Sequence, residues 1–185
     1  MRKDFTARPY QDLIIDHIIN TPRCAVWAGM GTGKTVATLT AIDILQMVED
    51  GPVLVVAPLR VANDTWPNEV LKWNHLREMN VSVITGPEKE RIAAVKAPAQ
   101  VYVTNYEQLV WLVTYWGDKW PYATVVLDES TKVKNFRLRQ GGVRAQQPHQ
   151  VLLHATPLAL HIHCMHQQRG IHLHADGETD VFVCL

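Results

Sequence analysis

The chain has 185 residues, is 47% hydrophobic and balances 18 basic against 18 acidic side chains. That length suits one domain with a sizeable core and is too short for two nucleotide-binding lobes, while the charge balance leaves only local patches for any polyanion. Three widely spaced cysteines, Cys24, Cys164 and Cys184, give no disulfide framework, and neither an apolar signal core nor a membrane-length run occurs, so the expected location is the cytoplasm.

Residues 8–20 place Leu13, Ile14 and Ile18 on one helical face, with Pro9 suited to a first turn. An apolar run from Cys24 to Ala28 predicts a buried strand, and a good helix-forming sequence opens at Lys34 and runs to about residue 49, before Gly51 and Pro52. Between them lie Gly29, Met30, Gly31, Thr32 and Gly33. Glycines at a strand-to-helix turn can take backbone angles that aim successive N–H groups at one anion, and the helix adds its positive end. Lys34 would then reach the β- and γ-phosphates of a nucleotide, and the Thr35 hydroxyl would ligate Mg²⁺. Ala28 stands where the usual motif has its first glycine and keeps a small residue at the turn.

Residues 53–57 form a continuous apolar, β-branched run, the signature of a strand covered on both faces. A helix over 61–75 carries Trp66, Val70, Leu71 and Trp73, and Pro67 leaves its start open. Strands at 81–85, 101–105 and 124–128 alternate with helices at 88–96 and 107–116. The expectation is an α/β fold: a doubly wound, mainly parallel sheet with helices on both faces. Ligands of such sheets bind at the carboxyl ends of the strands, where Ala28, Ala57, Asn105 and Asp128 all fall. The aromatic group Trp111, Tyr115, Trp116, Trp120 and Tyr122 reads as packing rather than a base-stacking platform.

The last of these strands ends in two adjacent acids. Asp128 can hold Mg²⁺ and its water shell while Glu129 polarises an attacking water. Beyond them Lys132, Lys134, Arg137, Arg139 and Arg144 follow without an acid, which fits either a contact with a nucleic-acid backbone or a solvated basic loop. Seven of the nine histidines crowd the sequence after Arg144. There His161, His163, Cys164 and His166 offer a metal reading, set against a disordered or frame-disrupted tail. The expected organisation is one domain over 1–147, or as far as about 160, and a His- and Gln-rich tail over 148–185.

Over residues 7–144 the chain resembles the first RecA-like lobe of superfamily 2 helicases, most closely the Snf-type DNA translocases and their phage-encoded relatives. Arg8, Pro9, Tyr10 and Gln11 look like the family's adenine-reading motif, which implies that Gln11 contacts the base. Residues 28–35 match its first ATPase motif. The run from Ala57 to Arg60, with Trp66 and Glu69 beyond, is similar to the segment that touches the DNA backbone. Thr104, Asn105, Tyr106 and Glu107 are similar to the segment after the next strand, and Asp128 to Thr131 with Lys132 to Asn135 resemble the second motif. At the third motif Thr156 and Pro157 match and His154 does not. The resemblance implies a RecA-like ATPase using ATP and Mg²⁺, with Lys34, Asp128 and Glu129 catalytic and with Arg60, Lys132, Lys134, Arg137 and Arg139 on DNA. It also implies a second RecA-like lobe, expected as a partner and absent from this sequence. The alternatives are a truncated module that binds ATP or DNA without turnover, and another P-loop ATPase.

Overall fold

A computed structural model describes residues 1–129 and the strand Val181–Cys184. Among the described residues, five α-helices and six strands fall in the order α1 (Pro9–Asn20), β1 (Arg23–Ala25), α2 (Lys34–Leu45), β2 (Val53–Ala57), α3 (Trp66–Lys72), β3 (Val81–Ile84), α4 (Glu88–Lys96), β4 (Val101–Asn105), α5 (Leu109–Trp116), β5 (Thr124–Leu127) and β6 (Val181–Cys184). The strands pair in the order β1-β6-β5-β2-β4-β3, and every pairing is parallel. The mainly parallel, doubly wound expectation therefore holds.

Alternation along the strands builds two cores. Val53, Val55 and Ala57 of β2, Val101 and Val103 of β4 and Val126 of β5 face one side, against Ile15 and Ile18 of α1, Leu39 and Ile42 of α2 and Trp66 of α3. Leu54, Val56, Tyr102, Val125 and Leu127 face the other, against Val95 of α4 and Leu109, Leu112 and Val113 of α5. With helices on both faces, β2 cannot alternate apolar with polar residues. All five of its residues are buried. Tyr122 belongs to the second core and Trp111, Trp116 and Trp120 pack against it, so most of the aromatic group is packing.

Several expected elements change at their ends, and the helix expected to run to about residue 49 stops at Leu45. The run expected to reach Ala28 as a strand leaves the ladder after Ala25, and Trp27 is 83% exposed. The carbonyls of Ala28 and Gly29 bond the Lys34 amine instead, so the glycine loop, not the sheet, satisfies them. The helix expected from residue 61 opens as a wide π turn over Val61–Thr65 and becomes α3 at Trp66; Pro67, which has no N–H to give the preceding turn, stands at the junction of the two. A 3₁₀ turn at Tyr106–Gln108 precedes α5. Of the expected tail, Val181–Cys184 is described, seated between β1 and β5. The boundary near 147 and the reading of His161, His163, Cys164 and His166 as metal ligands lie outside the described residues.

Register brings the site to one edge. Ala57 lies level with Asn105, Val56 with Leu127, and Ala25 with Cys184, which lies level with Leu127. The loop after β1 and the acids after β5 therefore leave the same, carboxyl end of the sheet. No helix among the described residues is long and apolar enough to cross a membrane.

Candidate functional site

The loop between β1 and α2 is shaped by two left-handed glycines. Gly31 and Gly33 both have φ 76°, and Gly33 caps α2. At Gly33 space adds to backbone angle: a Cβ there would lie 2.5 Å from Gln11 Nε2. That proximity is a working contact. Gln11, 7% exposed on the first turn of α1, donates from Nε2 to the Thr32 carbonyl at 3.1 Å and accepts from the Arg8 N–H at Oε1 at 2.9 Å. One amide side chain thus ties α1 to the loop. Within the loop the Thr32 hydroxyl donates to the Gly29 carbonyl at 2.9 Å. Lys34 Nζ donates to the carbonyls of Ala28 at 2.8 Å and Gly29 at 3.1 Å.

Asp128 follows β5 with its main chain held from two sides. Its N–H donates to the Val56 carbonyl at 2.8 Å, and its carbonyl accepts from the Tyr106 hydroxyl at 2.5 Å. The carboxylate accepts from the Trp66 indole at 3.0 Å. Burial pushes the Asp128 carboxyl above the usual range and the Glu129 charge adds to this, while the Trp66 N–H and the Lys34 charge work against it. Glu129 has φ 55°, a left-handed angle that non-glycine residues rarely take. In an extended strand adjacent acids would face opposite ways. The turn at Glu129 breaks that alternation, and both acids line one cleft.

The cleft encloses about 1240 Å³ and is lined by Gln11, the loop from Met30 to Thr35, Asp128 and Glu129. Phe5, Glu69, Lys72 and Trp73 add a wall from the chain start and from the end of α3. Residues 2–5 strap onto that wall. Arg2 donates to the carbonyls of Val70 at 2.6 Å and Trp73 at 2.7 Å, Lys3 bridges to Trp73, and Phe5 packs edge-on against the Trp73 ring at 5.3 Å. The Trp73 indole donates to Glu69 at 2.7 Å, and Glu69 pairs with Lys72 at 2.8 Å.

Behind Phe5 the His75 ring stacks on it at 5.2 Å, and His75 Nε2 lies 2.9 Å from the Thr40 hydroxyl. Partial burial lowers the His75 pKa from 6.5 and the Asp43 charge opposes this. Because the folded value lies below the unfolded one, the unfolded chain binds more protons as pH falls through 6.5, and the stability His75 contributes is lost on the acid side of that value. His75 should titrate below 6.5 in an NMR series, and Asp43→Asn, which removes the opposing charge, should move the midpoint lower still. A midpoint raised by Asp43→Asn would contradict this electrostatic assignment.

Of the site residues expected from the sequence, the cleft gathers Gln11, Met30, Gly31, Thr32, Gly33, Lys34, Thr35, Asp128 and Glu129, and Gly29 is bonded to two of them. Arg60 is exposed after β2 and is not among the residues lining the cleft. Lys132, Lys134, Arg137 and Arg139 lie outside the described residues. Sequence reasoning missed Phe5, Lys72 and Trp73 as cleft residues and Trp66 as a partner of Asp128. Phe5 carried one usable signal, its place three residues before Arg8. Trp66 carried a different one, its place in the segment similar to the one that touches the DNA backbone, but at 1% exposure it packs in the core instead.

Residues 24–165 match the family described as SNF2-related domain. Protein p41 of Acyrthosiphon pisum secondary endosymbiont phage 1 is 57% identical over 145 residues, which covers 77% of this chain and 32% of that protein. Chromodomain-helicase-DNA-binding protein 7 of Gallus gallus is 28% identical over 158 residues, 75% of this chain and 5% of that protein. The chain thus spans a third or less of either relative. Among solved structures, the Sulfolobus solfataricus SWI2/SNF2 ATPase core in complex with dsDNA superposes with a TM-score of 0.57 at 23% identity, over 71% of this chain and 28% of that one. The UvsW helicase from bacteriophage T4 superposes with a TM-score of 0.55 at 14% identity, over 70% of this chain and 46% of that one. Both share the RecA-like helicase fold with this chain.

Proposed function

The chain belongs to the SNF2-related domain family, and from that premise we propose that it is the ATP-binding lobe of a DNA translocase, hydrolysing ATP with Mg²⁺ when a second RecA-like lobe completes the site. The observation that carries this is the convergence of the glycine loop, Lys34, Asp128 and Glu129 on one cleft that Gln11 also lines.

The residues suit the chemistry. Lys34, now held by loop carbonyls, can exchange them for the β- and γ-phosphate oxygens, and the loop N–H groups from Gly29 to Thr35 add an anion cradle. The Thr35 hydroxyl and the Asp128 carboxylate are hard oxygen donors lining the same cleft, the donor type that Mg²⁺ takes. Bound there, Mg²⁺ would offset charge on the phosphates. Glu129 would orient the water that attacks the terminal phosphorus, with ADP as the leaving group.

Gln11 supports a preference for adenine. Its amide has two N–H groups and two lone pairs of which the observed bonds use one each, so a donor and an acceptor remain for the edge of a base. Calorimetric titration of the full chain with Mg-ATP and Mg-GTP tests both the site and this role. ATP should bind more tightly, and Gln11→Ala should weaken both nucleotides by freeing Thr32 while narrowing the gap between them. Equal affinities in the wild type would remove the adenine role, and no binding of either nucleotide would remove the function.

Arg60, Lys132, Lys134, Arg137 and Arg139 are the proposed contacts with the DNA backbone. Such contacts are sequence-independent and should weaken steeply as salt rises.

A further inference from the structure

We propose that Trp66 is a positioning residue for Asp128: its buried indole N–H fixes one carboxylate oxygen so that the other is presented to the metal of the nucleotide complex. This rests on the Mg-ATP reading above and extends it to a residue 62 positions away in sequence.

Three observations carry the inference. Trp66 is 1% exposed and packed in the core shared by α2, α3 and β2, so its ring has no room to turn. Its Nε1 donates to Asp128 Oδ2 at 3.0 Å, a direct bond between the first residue of α3 and the acid after β5. The Asp128 main chain is already pinned by Val56 and by the Tyr106 hydroxyl, so the carboxylate's remaining freedom is rotation about its own side-chain bonds. The indole removes that freedom. With Oδ2 held by the indole, the carboxylate lining the cleft has a fixed orientation, and Oδ1 is the oxygen the indole leaves wholly to a cation. Groups that orient metal ligands in this way commonly change metal affinity by about 10- to 100-fold when removed.

Trp66→Phe keeps an aromatic ring in the core and deletes the N–H. ATP affinity of the full chain is measured with Mg²⁺ and with EDTA, and the ratio of the two reports the metal's contribution. In Trp66→Phe this ratio should fall by about 10-fold or more while affinity in EDTA stays at the wild-type value. In an Asp128→Ala background, adding Trp66→Phe should change the ratio no further. A purely structural role would lower both affinities together and overturns the proposal, as does an undiminished ratio in Trp66→Phe. A wild type whose ATP binding ignores Mg²⁺ overturns the metal reading of the site and this inference with it. Should Trp66→Phe fail to fold, ¹⁵N spectra of the indole N–H groups decide the matter without it. The resonance displaced by Asp128→Ala should also move when Mg²⁺ is added to the ATP-bound wild type, and a resonance that stays in place overturns the proposal.

Discussion

Lys34→Ala should weaken Mg-ATP binding by about 100-fold or more, because each charge-assisted bond to a phosphate is worth roughly 1.5–3 kcal/mol and the ammonium can serve two phosphates at once. The other cations lining the cleft are poorly placed to substitute: Arg8 bonds the Tyr10 hydroxyl and Lys72 is paired with Glu69. The fold should survive, since the amine bonds only carbonyls of its own loop and takes no part in either core. Circular dichroism and a thermal melt of Lys34→Ala separate these effects. Wild-type affinity in a folded Lys34→Ala protein would refute the phosphate site.

The full 185-residue chain, assayed alone, should bind ATP and hydrolyse it about 1000-fold or more below the rate of a completed two-lobe site. Departing phosphates need positive charge beside them, and an arginine supplied for this purpose is worth about 10³–10⁵ in rate. Among the described residues Arg8 is the one arginine that lines the cleft, and its guanidinium is turned to Tyr10. Asp128 and Glu129 can hold the metal and the water but cannot offset the charge that develops. Single-turnover measurements with and without duplex DNA check this. Fast, DNA-stimulated hydrolysis that disappears in Glu129→Gln would mean that an arginine outside the described residues, or from a second copy, completes the site.

Much of this was legible in the sequence because it is written in local pattern. The unbroken apolar runs at 53–57 and 101–105 state that both faces of their strands are covered, and the two cores that meet β2 and β4 are the reason. Gly31 and Gly33 mark a tight left-handed turn ahead of α2 by spacing alone, since the backbone angles such a turn needs are a property of consecutive residues. Asp128 and Glu129 are legible as acids at the end of a strand. The Glu129 backbone angle that turns both into one cleft is not, because nothing in a Glu side chain announces φ 55°.

What only the tertiary structure decided depends on partners far apart in the chain. Periodicity says that a segment is a strand but not which strand lies beside it, so β1 at one edge and Val181–Cys184 between β1 and β5 could not be read from pattern. The same limit hid the bond from Gln11 to Thr32 across 21 residues and the bond from Trp66 to Asp128 across 62. Composition fixes how much apolar surface must be buried, but the direction in which one amide or one indole N–H points is set by how helices rotate against the sheet. That rotation is the sum of many weak packing contacts from the whole core, and no short stretch of sequence contains it.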